Sequence, residues 1–256
     1  MRFSPSQIAT FYKCGEQWRR RYIEREIIPP GIAAHTGQGV HRSAESNHRQ
    51  KIATKRDLTS ADIVERAVEG YSASLNESGV RLGKDEKSKG KKAVLGEGKD
   101  KTARLAQGYA ELVAPRIQPI MVEQSITIDV TDDLALGNII DVVAEGDNII
   151  DLKTGAKKWA QGRVDDSIQL TSNAMTYEAL TGRRPSKLTI ETLGAGKTIT
   201  HATLTTQRVV SDFDALIRRM IEMDKSIKAG IFIPANPDEW YCSARWCGYY
   251  DTCPYR

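Results

Sequence analysis

The spacing of apolar residues changes along the chain and predicts helices first and strands later. Ser4, followed by proline and then by glutamine at the third position, is typical of a helix start. Apolar and aromatic residues recur at helical spacing from there to Tyr22, which places Cys14 on the packed face of one helix. A second helix is predicted over 37–49. Residues 51–117 also look helical, around a lysine- and glycine-rich interruption.

The middle of the chain alternates with a period of two, which predicts strands. Glu145, Gly146 and Asp147 separate two of these strands and are typical of a short hairpin loop. The predicted elements are strands at 121–130, 134–144, 148–154, 187–193 and 198–204, a helix at 166–181 that ends at Gly182, and a helix at 209–229. This order predicts a single α/β (α+β) domain over 1–256, with a helical insertion at 46–118 and a cysteine-rich segment at 240–256.

Composition and charge narrow the class of protein. Apolar residues make up 40% and charged residues 27% of the 256 residues, as in a soluble globular protein. No run of 18 apolar residues and no signal-peptide pattern stands out, so we expect a cytoplasmic protein without a membrane partner. Residues 81–101 hold eight Lys or Arg against four acids. We predict a flexible basic loop here, either simply solvated or closing over a phosphate backbone.

An acidic cluster is predicted around the hairpin. With Gly146 at the centre of the loop, Asp141 lies opposite Asp151, and both share one face with Lys153. Opposed carboxylates destabilise a sheet unless a cation lies between them. A hard divalent metal, with the main-chain carbonyl of Leu152 nearby, would resolve this conflict. The other interpretation is a solvent-facing hairpin whose acids pair with the lysine.

Two further residues are candidates for this site. Glu123 lies on the preceding strand and His41 on the helix that follows the first glycines, and either could complete a metal shell.

The four cysteines form a second candidate site. Cys242, Cys247 and Cys253 follow a C-x4-C-x5-C spacing, and Cys14 is the remaining one. Four thiolates suit an iron–sulfur cluster or a zinc ion equally, while Cys14 by itself could be an ordinary core residue. A ligand from the other end of the chain would join the two termini.

These motifs together resemble the PD-(D/E)XK nuclease superfamily, in particular the RecB-like branch with AddAB-type and CRISPR-associated RecB-like exonucleases. Gly37 to His41 is similar to the branch's GxxxH motif, Gly137 to Asp141 to its GxxxD motif, and Asp151 to Thr154 to its (D/E)xK-T signature. Gln169 matches the glutamine of its QxxxY motif. The motif tyrosine is replaced by Asn173 here, with Tyr177 one turn later as a substitute; the first cysteine gap is four residues instead of the usual two.

The resemblance implies a restriction-endonuclease-like fold, with a central mixed sheet and flanking helices, and a metal-dependent deoxyribonuclease. It implies that His41, Asp141 and Asp151 bind Mg²⁺ or Mn²⁺, that Lys153 is catalytic, and that Gln169 and, less directly, Glu123 assist. It implies a structural [4Fe–4S] cluster at the cysteines rather than Zn²⁺, and single-stranded DNA ends as the substrate of an exonuclease. A phage recombination or repair role would suit a short chain, with a helicase, recombinase or integration partner left open.

Three other functions remain at this point, and one is a zinc protein whose cysteines bind the metal and whose acidic hairpin is incidental. The chain could be a non-catalytic nucleic-acid-binding module of the same fold, although an intact Asp141, Asp151 and Lys153 argue against this. It could also be a structure- or sequence-specific endonuclease, although no separate recognition domain is evident.

Overall fold

The computed structural model of the protein describes residues 1–155 and 159–256. The strands are β1 (Arg2–Phe3), β2 (Pro119–Thr131), β3 (Leu134–Ala144), β4 (Asn148–Thr154), β5 (Lys187–Ala195) and β6 (Ile199–Thr206). The helices are α1 (Pro5–Lys13), α2 (Gly15–Tyr22), α3 (Ile32–Thr54), α4 (Ser60–Ser78), α5 (Lys84–Lys89), α6 (Lys91–Leu112), α7 (Gln161–Asp165), α8 (Ile168–Thr181) and α9 (Val210–Lys228), with 3₁₀ turns at Ala114–Arg116 and Tyr250–Thr252. Among the described residues, no helix is both long and apolar enough to cross a membrane.

The sequence predicts a single domain, but the described chain divides into two compact units. The first unit contains residues 1–28, 127–138 and 208–256, and the second contains 29–126 and 139–207. Apolar periodicity predicts the elements of each unit but not which elements share a core, because the chain passes between the units several times.

The sheet of the second unit is mixed, as predicted. Its half of β3 pairs antiparallel with β4, β4 pairs parallel with β5, and β5 pairs antiparallel with β6. The parallel pair needs a crossover connection, and α8 lies within it. Ile150 and Leu152 of β4 belong to the apolar core with residues of α3, α4 and α6. Because side chains alternate along a strand, Asp151 and Lys153 face the opposite side.

The helical part of the second unit corrects two predictions. The basic segment 81–101 is mostly helical, because α5 and the first half of α6 occupy it. Glu86 accepts the main-chain N–H of Gly83 at 2.7 Å and caps α5, so local hydrogen bonding overrides the loop signal of the glycines. The helical region also does not begin at residue 46, because α3 runs through that position without a break.

The first unit corrects the prediction that Cys14 lies inside a helix. The Ser4 side chain caps α1 as predicted, but the helix ends at Lys13, and Cys14 is extended with φ −164° and ψ 105°. Its sulfur then caps α2. A Cβ on Gly15 would lie 2.7 Å from the main-chain nitrogen of Ile233, so only glycine permits this close approach of the C-terminal segment.

Side-chain contacts also hold the C-terminal segment of the first unit. Trp18 stacks on Phe232 with ring centroids 6.1 Å apart. Arg20 donates to Thr252 Oγ1 at 2.6 Å, and the Tyr249 hydroxyl donates to the Glu26 carbonyl at 2.6 Å. These contacts join the N- and C-terminal parts of the first unit.

Candidate active site and cysteine pocket

Asp141 and Asp151 lie at corresponding positions of the β3–β4 hairpin. The register pairs Ala144 with Asn148 and Val142 with Ile150, which confirms the predicted hairpin and makes Asp141 and Asp151 the next two residues along it. The Asp151 side chain is fully buried. Burial raises the pKa of Asp141, and the Asp151 carboxylate raises that pKa further. The hairpin therefore concentrates carboxylates where water screens them poorly.

The Lys153 ammonium group lies between two oxygen acceptors. Its Nζ donates to Asp151 Oδ1 at 2.9 Å and to Gln169 Oε1 at 2.9 Å. Asp151 Oδ2 is also 2.8 Å from Nζ, but this contact is an ion pair without hydrogen-bond geometry. Oδ2 is thus a buried oxygen that has no hydrogen-bond partner within the described part of the chain. About a quarter of the Lys153 side chain is exposed, so the ammonium can be reached from solvent.

His41 reaches the acidic cluster from α3. Its Nδ1 lies 3.4 Å from Asp141 Oδ2. A Cβ on Gly37 would lie 3.2 Å from Thr154 Oγ1, and one on Gly39 would lie 2.5 Å from the Ala67 carbonyl oxygen. The glycines therefore let α3 pack closely on the end of β4 and on α4, and this packing directs the next turn of α3 toward Asp141.

Glu123 lies near the same carboxylates in an uncommon backbone conformation. Its φ is +49°, which is rare for a residue other than glycine and introduces strain within β2. Burial raises the pKa of Glu123 to about 7, and the charges of Asp141 and Glu45 contribute. A carboxyl group with this pKa exchanges protons near neutrality.

One cavity of the second unit joins these residues to others that the sequence did not single out. Its histidine and carboxylate lining residues are His41, Glu45, His48, Glu123, Asp141 and Glu191. Glu45 is one helical turn after His41, so the helical period could have identified it. Glu191 lies beside Leu152 in the sheet. Its carboxylate accepts hydrogen bonds from His201 Nε2 at 2.6 Å and from Thr203 Oγ1 at 2.8 Å.

Two predicted site residues are placed differently from the rest. Tyr177 is buried, and its hydroxyl donates to Asp147 Oδ1 at 2.7 Å in the hairpin loop. It therefore contacts the loop, and the structure does not bring it to Lys153 as a substitute for the motif tyrosine. The Leu152 side chain packs in the apolar core, so its part in a metal site would be its main-chain carbonyl.

The four cysteines line one cavity of the first unit, and all four are free thiols. Cys14 Sγ accepts main-chain N–H groups from Gln17 at 3.4 Å and from Ala235 at 3.3 Å. Burial raises the pKa of Cys242, and the other three sulfurs raise that pKa further. The structure thus brings the predicted residues to one site.

Comparison with known proteins identifies the family. The family model of the PD-(D/E)XK nuclease superfamily matches residues 2–254. The chain belongs to this superfamily. No curated protein matches it by sequence.

One solved structure has a similar fold. The chain is similar to the crystal structure named "Putative exonuclease" from Eubacterium rectale. The TM-score is 0.61 and the sequence identity 13%, and the alignment covers 97% of this chain and 86% of that one. This similarity shows the fold. A structure named SSO0001 aligns with a TM-score of 0.36 and 11% identity, over 93% of each chain.

A divalent metal, which nucleases of this superfamily typically use, suits the chemistry of the acidic cluster. Asp151 Oδ2 is buried and has no hydrogen-bond partner among the described residues, and burial disfavours the charged forms of Asp141 and Glu123. A hard cation among these oxygens would relieve both penalties. Within residues 1–155 and 159–256, no three His, Cys, Asp or Glu side chains are arranged to hold a metal ion as they stand. Lys153 pairs with Asp151 in this arrangement and supplies the positive charge there.

Proposed function

We propose that the chain is a metal-dependent DNA nuclease of the RecB-like branch, specifically an exonuclease on single-stranded DNA ends that acts in recombination or repair. The observation that carries this proposal is the contact of Lys153 with both Asp151 and Gln169, next to Asp141. A lysine beside buried carboxylates serves phosphodiester hydrolysis, which needs positive charge near the phosphate and an activated water.

The oxygen and nitrogen ligands for Mg²⁺ or Mn²⁺ would come from His41, Asp141 and Asp151, with the main-chain carbonyl of Leu152. The His41 contact with Asp141 supports this set, as does Asp151 Oδ2, which pairs with Lys153 but has no hydrogen-bond partner in the described part of the chain. When bound, the metal would lower the pKa of a coordinated water and neutralise charge on the phosphate.

Lys153 orients the attacking water and stabilises the negative charge that develops on the phosphate oxygens. Its bond to Asp151 restricts its position along the strand, and its bond to Gln169 restricts it from the side of α8. Gln169 is therefore a positioning residue. Glu123, with a pKa of about 7, can accept or release a proton close to Asp141, or it can bind a second metal ion.

The four cysteines would hold a [4Fe–4S] cluster with a structural role. Two main-chain N–H groups already point at the sulfur of Cys14, and such donors stabilise a thiolate ligand. Iron with labile sulfide in anaerobically purified protein supports the cluster. If the purified protein contains zinc and no iron, the four cysteines form a zinc site instead of a cluster.

Digestion of single strands tests the proposed activity. Freshly purified protein with Mn²⁺ should degrade end-labelled linear single strands but not circular ones, and Lys153→Ala should abolish this loss. Cutting of circles would show an endonuclease. No digestion by the wild-type protein with its cluster intact would contradict the nuclease assignment and favour a binding module.

A further inference from the structure

Three aromatic rings and two cations form a row on the first unit. The Trp240 ring meets the Tyr241 ring at 5.5 Å and the Trp246 ring at 5.4 Å, both edge to face. Lys13 Nζ lies 4.5 Å from the centre of the Tyr241 ring at one end. The Arg245 guanidinium lies 5.3 Å from the centre of the Trp246 ring at the other end. We refer to these five residues as the aromatic row.

The two tryptophans of the row are exposed although their rings are large and mostly apolar. Trp240 is 67% exposed and Trp246 is 54% exposed. Leaving large aromatic surface in water is unfavourable, and adjacent exposed tryptophans are typical of an interaction site. Neither indole belongs to the buried core, so a role in folding does not account for them.

The chemistry of the row fits the bases of a single nucleic-acid strand. Exposed aromatic faces stack on bases without regard to sequence, and nearby cations add attraction to the backbone. In duplex DNA the bases stack on each other and offer their faces to no side chain. A protein partner would also cover tryptophans, but cations at both ends of an aromatic row match a strand that alternates bases with phosphates.

We propose that the aromatic row binds single-stranded DNA by stacking bases on Trp240 and Trp246. This inference rests on the proposed function, because it assigns the single-stranded substrate of that nuclease a binding surface on the first unit. Asp238 and Glu239 precede the row in sequence, so its local charge is balanced. We therefore expect stacking to dominate, and the contribution of the tryptophans should persist at high salt.

Binding without cleavage tests the row separately from catalysis. The full-length protein, without added divalent metal, is titrated into a labelled thymidine oligonucleotide and followed by fluorescence anisotropy. Trp240→Ala and Trp246→Ala should each weaken binding about tenfold or more. The Trp→Phe variants should recover part of the loss, because phenylalanine still stacks. Ile27→Ala is the matched control, since Ile27 is a 76% exposed apolar residue of the same unit outside the row.

A second measurement needs no variant and guards against misfolding. The intrinsic tryptophan fluorescence of the wild-type protein should be quenched by the thymidine oligonucleotide and much less by a duplex of equal length. The inference is wrong if a variant with both Trp240→Ala and Trp246→Ala binds the oligonucleotide as tightly as the wild type, or if no quenching occurs. The aromatic row would then be a candidate binding site for a protein partner.

The two proposals fail in different ways. If the wild-type protein cleaves DNA and the tryptophan variants bind normally, the inference about the aromatic row is wrong and the proposed nuclease function stands. Tryptophan-dependent binding by a wild-type protein that never cleaves would support the row and overturn the nuclease.

Discussion

Replacement of Gln169 by leucine tests whether the position of the Lys153 ammonium sets the reaction rate. The substitution removes one of two acceptors at 2.9 Å and leaves Asp151 as the remaining oxygen partner of Lys153 described here. A hydrogen bond to a charged group contributes about 1.5–3 kcal/mol. If this energy serves to hold the ammonium where the transition state needs it, loss of the bond lowers kcat by about 10- to 150-fold, since about 1.4 kcal/mol corresponds to tenfold.

The assay is steady-state cleavage of an end-labelled single strand in Mn²⁺. We expect kcat to fall while KM changes little, because the Gln169 amide oxygen is directed at Lys153. Gln169→Glu keeps an acceptor of the same length and should recover most of the rate.

Tyr177→Phe is the matched control on the same helix. It removes the hydrogen bond to Asp147 in the hairpin loop, so it should lower the free energy of unfolding by about 1 kcal/mol and leave kcat unchanged. A Gln169→Leu protein with wild-type kcat would refute the positioning role. So would a Tyr177→Phe protein with an equal loss of kcat, because general weakening of α8 would then explain both results.

Three further predictions concern stability and the cysteine site. Burial lowers the pKa of His48 from 6.5 to about 4, so the unfolded chain binds a proton that the folded protein excludes. Between pH 6.5 and 5 the urea unfolding free energy of the metal-free wild type should therefore fall by about 1.5 kcal/mol relative to His48→Gln, and parallel curves would contradict this. Gly15→Ala places a Cβ 2.7 Å from the Ile233 nitrogen and should displace the C-terminal segment from Cys14. The iron and labile sulfide that the proposed cluster contributes per chain should therefore decrease, whereas an iron content equal to that of the wild type would argue against the close approach. Gly39→Ala places a Cβ 2.5 Å from the Ala67 carbonyl and should destabilise the protein by about 1–3 kcal/mol in urea, whereas unchanged stability would show that α3 and α4 can separate freely.

Strand signals predicted the sheet well. β3 and β4 begin and end at the predicted residues, and the hairpin loop with Gly146 at φ +76° has the predicted register. Strand prediction succeeds here because a register shift of one residue would move Ile150 and Leu152 out of the core.

Helix signals were less reliable, since periodicity does not record capping. Cys14 follows the helical spacing, yet its extended backbone ends one helix and its sulfur caps the next. The glycines of the basic segment predict a loop, but a glutamate cap on α5 and the packing of α6 on α3 and α4 make the segment helical.

The part of the candidate site that lies on one hairpin can be predicted from local pattern, whereas tertiary structure alone brings Glu191 to the cavity. Asp151 and Lys153 follow from strand alternation, and Asp141 follows from the hairpin. Glu191 comes from a distant strand, and no local pattern connects it with β4. The proton affinity of Glu123 depends on burial and on its neighbours, so a pKa of about 7 is a property of the folded protein alone.

The most direct test of the central claim compares the wild type with Asp151→Asn in a time course of Mn²⁺-dependent cleavage. Asparagine preserves the shape of the fully buried side chain while removing its charge and its affinity for a hard metal. We predict that the wild-type protein shortens a linear single strand and that Asp151→Asn does so at least about a hundredfold more slowly. Equal rates for the two proteins, or undiminished cleavage by the wild type in excess chelator, would contradict a metal-dependent active site at Asp151 and Lys153.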